Sequence, residues 1–172
     1  MSNVRPIPEG YGTVTPHMSV KGAAEAIEFY KRAFSAEELY RMPGPDGKSV
    51  MHAELKIGNS IVMIADEVPN SEGWKSPTSL KGTSITLGLY VEDCDKVYQQ
   101  AIDAGAKVCM PLMDCFWGDR YGKVTDPFGH EWGIATHKED LTPEQIGKNA
   151  EEFFKNMQCG QGGGEGGSCG CG

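Results

Sequence analysis

The stretch that most constrains this chain covers residues 114–137 and predicts a β-hairpin. Residues 120–125 and 131–136 are rich in strand-forming side chains. Between them, Asp126-Pro127-Phe128-Gly129 predicts a tight turn, because proline fixes φ and glycine accepts a positive φ. An aromatic loop, Phe116-Trp117-Gly118, leads into the hairpin. Aromatic residues in this setting are typical of a pocket rim, and they are also compatible with a packed hairpin that binds nothing.

The chain before the hairpin repeats one order of elements. Apolar periodicity predicts a strand at 11–20, a helix at 23–34 and strands at 37–42, 50–57 and 60–65. A second set is predicted as a strand at 84–91, a helix at 93–104, a strand at 107–113 and the hairpin. Val20 matches Val91 and Ala65 matches Ala135, with an offset of about 70 residues in both pairs. We therefore expect a tandem duplication of one βαβββ module.

Four segments are expected along the chain: a flexible arm at 1–10, a domain at 11–140, a C-terminal helix at 141–157 and a disordered tail at 158–172. Within the domain, module one covers about 11–66 and module two about 83–137. Thr142-Pro143-Glu144-Gln145 predicts the helix start, because threonine and glutamine form a capping box and proline suits the first helical position. The tail is rich in glycine and cysteine and cannot bury apolar surface.

The composition limits the classes of partner. A net charge of −8 and a pI of about 5.0 argue against a nucleic-acid partner, which requires a basic face. The longest apolar runs are far too short to span a membrane, and the first residues contain no apolar signal region. We therefore expect a cytoplasmic protein with no nucleic-acid and no membrane partner. In that compartment the six cysteines are expected to stay reduced.

Side-chain alternation selects candidate catalytic residues in the predicted strand at 50–57. Ala53, Leu55 and Ile57 share one face, which should pack on a helix because burial of apolar groups is favourable. His52 and Glu54 then lie on the opposite face, toward a cleft. An imidazole and a carboxylate on one face are close enough to act together as a general acid and base. A histidine in a polar cleft is also compatible with a purely structural hydrogen bond.

Two further predictions concern the same cleft. If the apolar side of the first strand covers the helix, Thr15 and His17 point into the cleft. Arg120 is expected at its mouth, where a planar guanidinium can bind an anionic group of a ligand. The alternative for Arg120 is an ion pair with Asp119 or Glu54.

Three segments resemble the vicinal oxygen chelate superfamily, the glyoxalase/bleomycin-resistance proteins: AAEAIEFYKRAFSAEE, PDGKSVMHAELKIGNSIVMIADE and WGDRYGKVTDPFGHEWGIATH. The similarity is greatest to the glyoxalase-like or demethylubiquinone-methyltransferase-like branch, and it covers roughly residues 12–140. It implies an α+β fold in which tandem βαβββ modules form a half-open mixed sheet around a central cleft. It also implies a homodimer. One fold hosts many functions, so the resemblance specifies the fold more closely than the activity.

Metal-dependent members of that superfamily place histidine or glutamate ligands on the first and last strands of each module. The resemblance puts those four places at Thr15, Met63, Thr86 and Gly133, with Met63 turned into the cleft. None of the four is a usual ligand of a divalent metal, so no cofactor is expected. The remaining alternative is a substitute divalent-metal site made by His17, His52 and Glu54.

We therefore expect a glyoxalase-like protein that binds a small molecule, with a metal-independent lyase or isomerase activity as one form of it. The alternative is a non-enzymatic protein of the bleomycin-resistance type, whose acidic, aromatic cleft between two subunits sequesters a cationic drug. Only the first hypothesis predicts turnover. The predicted catalytic residues are His52 and Glu54. The predicted substrate-binding residues are Thr15, His17, Met63, Thr86, Phe116, Trp117, Arg120 and Trp132, of which Phe116, Trp117 and Trp132 would stack on the drug.

Overall fold

The computed structural model describes residues 4–68, 71 and 73–160. Module one contains β1 (His17–Val20), α1 (Ala23–Phe34), β2 (Glu37–Pro43), β3 (Val50–Ile57) and β4 (Ser60–Asp66). After α2 (Pro77–Leu80), module two contains β5 (Thr86–Tyr90), α3 (Cys94–Ala104), β6 (Lys107–Asp114), β7 (Asp119–Thr125) and β8 (Glu131–His137). The last helix is α4 (Pro143–Gly160). The predicted α+β fold is confirmed.

Each module forms its own four-stranded sheet, with the same strand order. The first sheet has the order β1-β4-β3-β2 and the second sheet has the order β5-β8-β7-β6. In both sheets the first strand runs parallel to the last strand of its module, and the other neighbours are antiparallel. His17 lies opposite Met63 in the first sheet, as Gly88 lies opposite Gly133 in the second. The duplication seen in the sequence is therefore present in the strand registers.

One apolar core joins the two modules. The apolar stripe of α1 is buried, and its Tyr30 and Phe34 lie against Trp132 of β8, with ring centroids 5.4 and 4.6 Å apart. α1 also packs along α3, whose Ala101 is fully buried. Burial of a large apolar side chain contributes roughly 1.5–3 kcal/mol. The helix-facing sides of both sheets thus share a single interior.

A buried carboxylate fixes the hairpin turn to α1. Asp126 is only 4% exposed, and its Oδ2 accepts hydrogen bonds from Tyr30 Oη at 2.6 Å and from Trp132 Nε1 at 2.9 Å. Its Oδ1 accepts from the backbone N–H groups of Phe128 and His130, both at 2.9 Å. Burial, together with the charge of Asp126, raises the pKa of Tyr30 well above its ordinary value. The phenol therefore stays protonated and keeps donating.

The chain on either side of module one differs from the prediction. β1 is shorter, because residues 11–16 precede it as irregular chain and Pro16 has no N–H for a sheet hydrogen bond. Thr15 therefore lies outside the strand, and its hydroxyl donates to the carbonyl of Gly12 at 3.2 Å. The connection at 66–82 contains α2, which the sequence pattern did not predict. Ser76 caps this helix and Pro77 stands in its first turn.

The C-terminal helix begins with the predicted capping box. Gln145 Oε1 accepts from Thr142 N at 2.8 Å, and Thr142 Oγ1 accepts from Gln145 N at 3.3 Å. α4 continues to Gly160, into the range predicted as a tail, and the rest of that range lies outside the described residues. Within the part of the chain that the structure describes, no helix is long and apolar enough to cross a membrane.

Candidate functional site

The side of the first sheet that points away from α1 carries the predicted catalytic pair. Alternation in β3 buries Ala53, Leu55 and Ile57, whereas the side chains of His52 and Glu54 point the other way and are 24% and 25% exposed. In the neighbouring strands, Met63 pairs with Glu54 on one side and with His17 on the other. We call this surface, defined by His17, His52, Glu54 and Met63, the open face.

Aromatic rings surround the two histidines of the open face. The ring centroids of His17 and His52 are 5.8 Å apart in an edge-to-face arrangement. Trp74, which comes from the connection between the modules, stands 5.0 Å from His17. Tyr40 of β2 lies 6.3 Å from His52. The open face therefore has a polar centre with aromatic walls.

Hydrogen bonds order the polar centre. His52 Nε2 lies 3.3 Å from Glu54 Oε1, and a carboxylate only accepts, so the hydrogen belongs on Nε2 and the lone pair on Nδ1. Burial raises the pKa of Tyr11 to about 12, and the neighbouring Glu54 carboxylate adds to the shift. Burial, and then the neighbouring His52, lower the pKa of His17 below its ordinary value. His17 is therefore neutral at physiological pH.

A cavity of about 540 Å³ opens beside His17. Its apolar walls include Val50, Met51, Ala65 and Trp74. Cavities of roughly 300–1,000 Å³ hold most small-molecule ligands. The cavity is therefore large enough for a compact organic molecule.

Three carboxylates and one lysine line the same cavity. Asp46 and Asp66 accept hydrogen bonds from backbone N–H groups, and Glu67 accepts them from the residues that begin α2. These bonds lower the pKa of Asp46 and lower that of Glu67 to about 2. Lys21 lines the cavity with them. With one ammonium group against three carboxylates, the cavity carries a net negative charge.

The second sheet has a separate polar network centred on Asp119. This carboxylate is buried and accepts hydrogen bonds from Tyr90 Oη at 2.8 Å and Trp117 Nε1 at 3.0 Å, while His137 Nδ1 lies 2.7 Å away. Burial opposes its ionisation, but the hydrogen bonds outweigh burial and lower the pKa of Asp119. Asp119, and then Asp140, raise the pKa of His137. Trp117 thus contributes its indole N–H to this network, away from the open face.

Two of the aromatic residues predicted to stack on a ligand are covered by protein. Trp132 is 1% exposed and lies in the core between α1 and β8, because its strand position has the parity of the buried Ile134. Phe116 packs under α4, with ring centroids 5.5 Å from Phe153 and 5.9 Å from Phe154. The predicted stacking role of Trp132 is therefore wrong, and Phe116 anchors a helix.

Arg120 lies on the wrong side of its strand for the predicted role. Its Nε and Nη2 bind Asp95 of α3 at 2.6 and 2.7 Å, and its Nη1 binds Asp114 at 3.2 Å. Side chains alternate between the two faces along β7, and Arg120 therefore lies on the same face as the fully buried Val124. The alternative prediction, an ion pair of Arg120 with Asp119 or Glu54, is wrong as well.

The predicted common cavity is divided in the structure. Thr86 donates its hydroxyl hydrogen to Glu131 at 3.0 Å and lines a second cavity of about 1120 Å³, whereas His17 lines the cavity of about 540 Å³. His130, which follows the hairpin turn, lies with its Nε2 3.3 Å from the carbonyl oxygen of Ser19. Burial lowers the pKa of His130.

The profile of the Glyoxalase/Bleomycin resistance protein/Dioxygenase superfamily matches residues 13–134. The chain belongs to this superfamily. The uncharacterized protein Rv0887c of Mycobacterium tuberculosis strain H37Rv is 49% identical over 135 residues, which cover 77% of this chain and 79% of that protein.

Two solved structures are similar to the superfamily fold of this chain. The Arabidopsis thaliana At5g48480 gene product is 27% identical, with a TM-score of 0.58 over 74% of this chain and 98% of that one. TioX from Micromonospora sp. ML1 is 26% identical, with a TM-score of 0.57 over 76% of this chain and 100% of that one.

The four positions that the resemblance assigns to superfamily metal ligands do not fit a divalent metal. Thr15 and Thr86 use their hydroxyl hydrogens within the protein, and Met63 offers a thioether. At Gly133, a β-carbon would lie 2.7 Å from Tyr121 Oη, so the phenol fills the space of a ligand side chain. Within residues 4–68, 71 and 73–160, no three His, Cys, Asp or Glu side chains are grouped to hold a metal ion.

The sequence pattern did not predict the aromatic wall of the cavity or the charged residues that line it. Trp74 is the sole aromatic residue in the polar connection at 66–82, a signal that could have identified it. Lys21 follows β1 and Asp46 lies in the turn between β2 and β3, and only the folded sheet brings them to one cavity. Tyr11 was assigned to the first strand, but it lies in the irregular chain ahead of β1.

Proposed function

We propose that this superfamily member binds a small organic cation in the cavity beside Trp74 and does so without catalysis. The observation that carries the proposal is an aromatic wall in a cavity of net negative charge. A cation over an indole face gains roughly 0.5–2 kcal/mol, and an acidic cavity raises its local concentration. His17 is neutral and adds no repulsion. This is the predicted drug-binding alternative, supported by residues other than those first assigned to it.

Binding of phenyltrimethylammonium tests the proposal, with benzyl alcohol as the neutral probe and benzoate as the anionic probe. Isothermal titration should show the cation binding at least about tenfold more tightly than either. Trp74→Ala should weaken cation binding by about fivefold or more, and Trp74→Phe should restore most of it. The absence of cation binding by the folded protein at millimolar concentration would refute the proposal.

A pair of charge reversals locates the site. Lys21→Glu should strengthen cation binding by about fivefold, because it removes a repulsive charge worth roughly 1 kcal/mol from the cavity. Lys48→Glu changes the net charge equally at a residue that is not among those lining the cavity. Equal effects of the two variants would show that the cation binds elsewhere.

A second candidate is a metal-independent lyase or isomerase, supported by the lowered pKa of His17. A neutral imidazole beside a cavity is suited to accept a proton from a bound substrate. The hydrogen-bonded pair of His52 and Glu54 stands next to it. Product formation from a bound compound, abolished in His17→Gln with binding retained, would support this candidate over simple binding.

We also propose a cytoplasmic homodimer. β1 and β5 are edge strands, and the apolar side chains of Val14 and Ile85 beside them are 87% and 66% exposed. Apolar surface next to unpaired strand edges favours association with a second copy. Cys94, Cys109 and Cys115 are unpaired thiols, as expected in a reducing compartment. Light scattering that gives the 18.6 kDa mass of one chain would refute the dimer. Export of the protein to an oxidising compartment would refute the cytoplasmic location.

A further inference from the structure

Two imidazoles and a thioether meet on the open face. His17 and Met63 are paired positions of the neighbouring strands β1 and β4, so their side chains lie side by side on one face. The rings of His52 and His17 are arranged edge to face, with their centroids 5.8 Å apart. Two imidazoles that bind one ion through nitrogens at about 2 Å have centroids about 5–6.5 Å apart. The observed separation therefore suits one shared ion.

We propose that His17, His52 and Met63 bind a soft monovalent metal ion, Cu(I), on the open face. A thioether selects Cu(I), because hard divalent ions prefer oxygen ligands and zinc prefers thiolates, imidazoles and carboxylates. Met42 is the strand partner of His52 and places a second thioether on the same face. The site uses the first sheet alone.

The surroundings of His52 orient it as a ligand. Glu54 accepts from Nε2 and leaves the Nδ1 lone pair for the ion. Partners of this kind fix the tautomer and ring orientation of metal-binding histidines, and their loss typically weakens metal binding by about 10–100-fold. Glu54 is therefore a positioning residue of the site.

The metal site is independent of organic-cation binding, although both involve His17. A soft ion takes its ligands from the centre of the open face, whereas the organic cation lies against Trp74 and the carboxylates of the cavity. Cu(I) is used alone as the probe of the metal site. A negative result with Cu(I) therefore leaves the organic-cation proposal standing, and the reverse also holds.

Competition with a chromophoric Cu(I) chelator under anaerobic conditions measures the affinity. Thiols bind Cu(I) tightly, so five of the six cysteines are replaced by serine and the buried Cys94 is kept. In this full-length background, Met63→Leu and His52→Asn should each weaken binding by at least about tenfold. Met113→Leu is the matched control, because Met113 is half-buried like Met63 but lies in β6 of the second sheet, which supplies no ligand. Equal affinities of Met63→Leu and Met113→Leu would refute the proposal.

A residue-specific measurement on the wild-type chain removes any dependence on the cysteine substitutions. With methyl-labelled methionine, Cu(I) added beyond the thiol equivalents should shift the methyl signals of Met63 and Met42 and leave that of Met113 unchanged. Glu54→Gln should weaken the Met63 response by about tenfold without removing it. Methyl signals of Met63 and Met42 that stay in place at saturation would overturn the assignment.

Discussion

Asp126→Ala should lower the free energy of unfolding by at least about 3 kcal/mol. The substitution leaves four donors without an acceptor, namely Tyr30 Oη, Trp132 Nε1 and two backbone N–H groups. Each buried donor that loses its partner costs about 1–3 kcal/mol. The site is 4% exposed, so water cannot replace the carboxylate without opening the core. Urea unfolding followed by circular dichroism measures the loss.

Two further variants separate the effect of the buried carboxylate from the effect of the turn geometry. Asp126→Asn keeps the shape but turns an NH₂ group toward two donors, so it should remain strongly destabilising. Asp46→Ala removes a carboxylate that also accepts from nearby N–H groups, but on the surface, and its effect should be clearly smaller. Comparable losses for Asp126→Ala and Asp46→Ala would show that turn geometry, and not burial, sets the effect.

Gly118→Ala should cost about 2–5 kcal/mol and loosen α4. Gly118 has a φ of +96°, which side chains disfavour by about 1–2 kcal/mol. A β-carbon there would lie 2.5 Å from the carbonyl oxygen of Glu139, and relief of such crowding costs a further 1–3 kcal/mol or so. The Gly118 carbonyl also accepts from Lys138 N and Glu139 N, so a shift of the loop disturbs the segment that leads to α4.

Gly47→Ala is the matched control for Gly118→Ala. Gly47 has a φ of +67°, but a β-carbon there meets nothing within 4 Å. Gly47→Ala should therefore lower the free energy of unfolding only by the cost of the positive φ, about 1–2 kcal/mol. Hydrogen exchange in α4 should speed up in Gly118→Ala and stay unchanged in Gly47→Ala. Faster exchange in both variants would mean that α4 responds to overall stability and not to the loop.

The sequence predicted the fold because its local signals agree with one another. Alternation in β3 was sufficient to place His52 and Glu54 on the open face, since one side of that strand is fully apolar. The Asp-Pro-Phe-Gly turn and the capping box of α4 depend on neighbours in sequence and were predicted for the same reason. The offset between the modules extended these predictions to the second sheet.

The errors arose where a distant partner decides the orientation of a side chain. Arg120 is held by Asp95, a helix residue 25 positions earlier, and nothing local indicates that pair. Trp132 was assigned to a ligand because large aromatics suit pocket rims, but Phe34 of the other module covers it. The cavity beside Trp74 could not be predicted, because its charged residues lie after β1, between β2 and β3 and at the end of β4, and its aromatic wall comes from the connection between the modules.

The contact of Phe34 with Trp132 and the bond of Tyr30 to Asp126 have a consequence for the origin of the duplication. A protein of one module would expose the apolar side of α1 to solvent, because residues of the other module pack against that side. Such a half-length ancestor would have needed a second copy of itself to fill that surface. In a chain that contains both modules this pairing is intramolecular, and each half can change its side chains separately. The first sheet carries histidines, a thioether and a carboxylate where the second carries glycine, tyrosine and lysine.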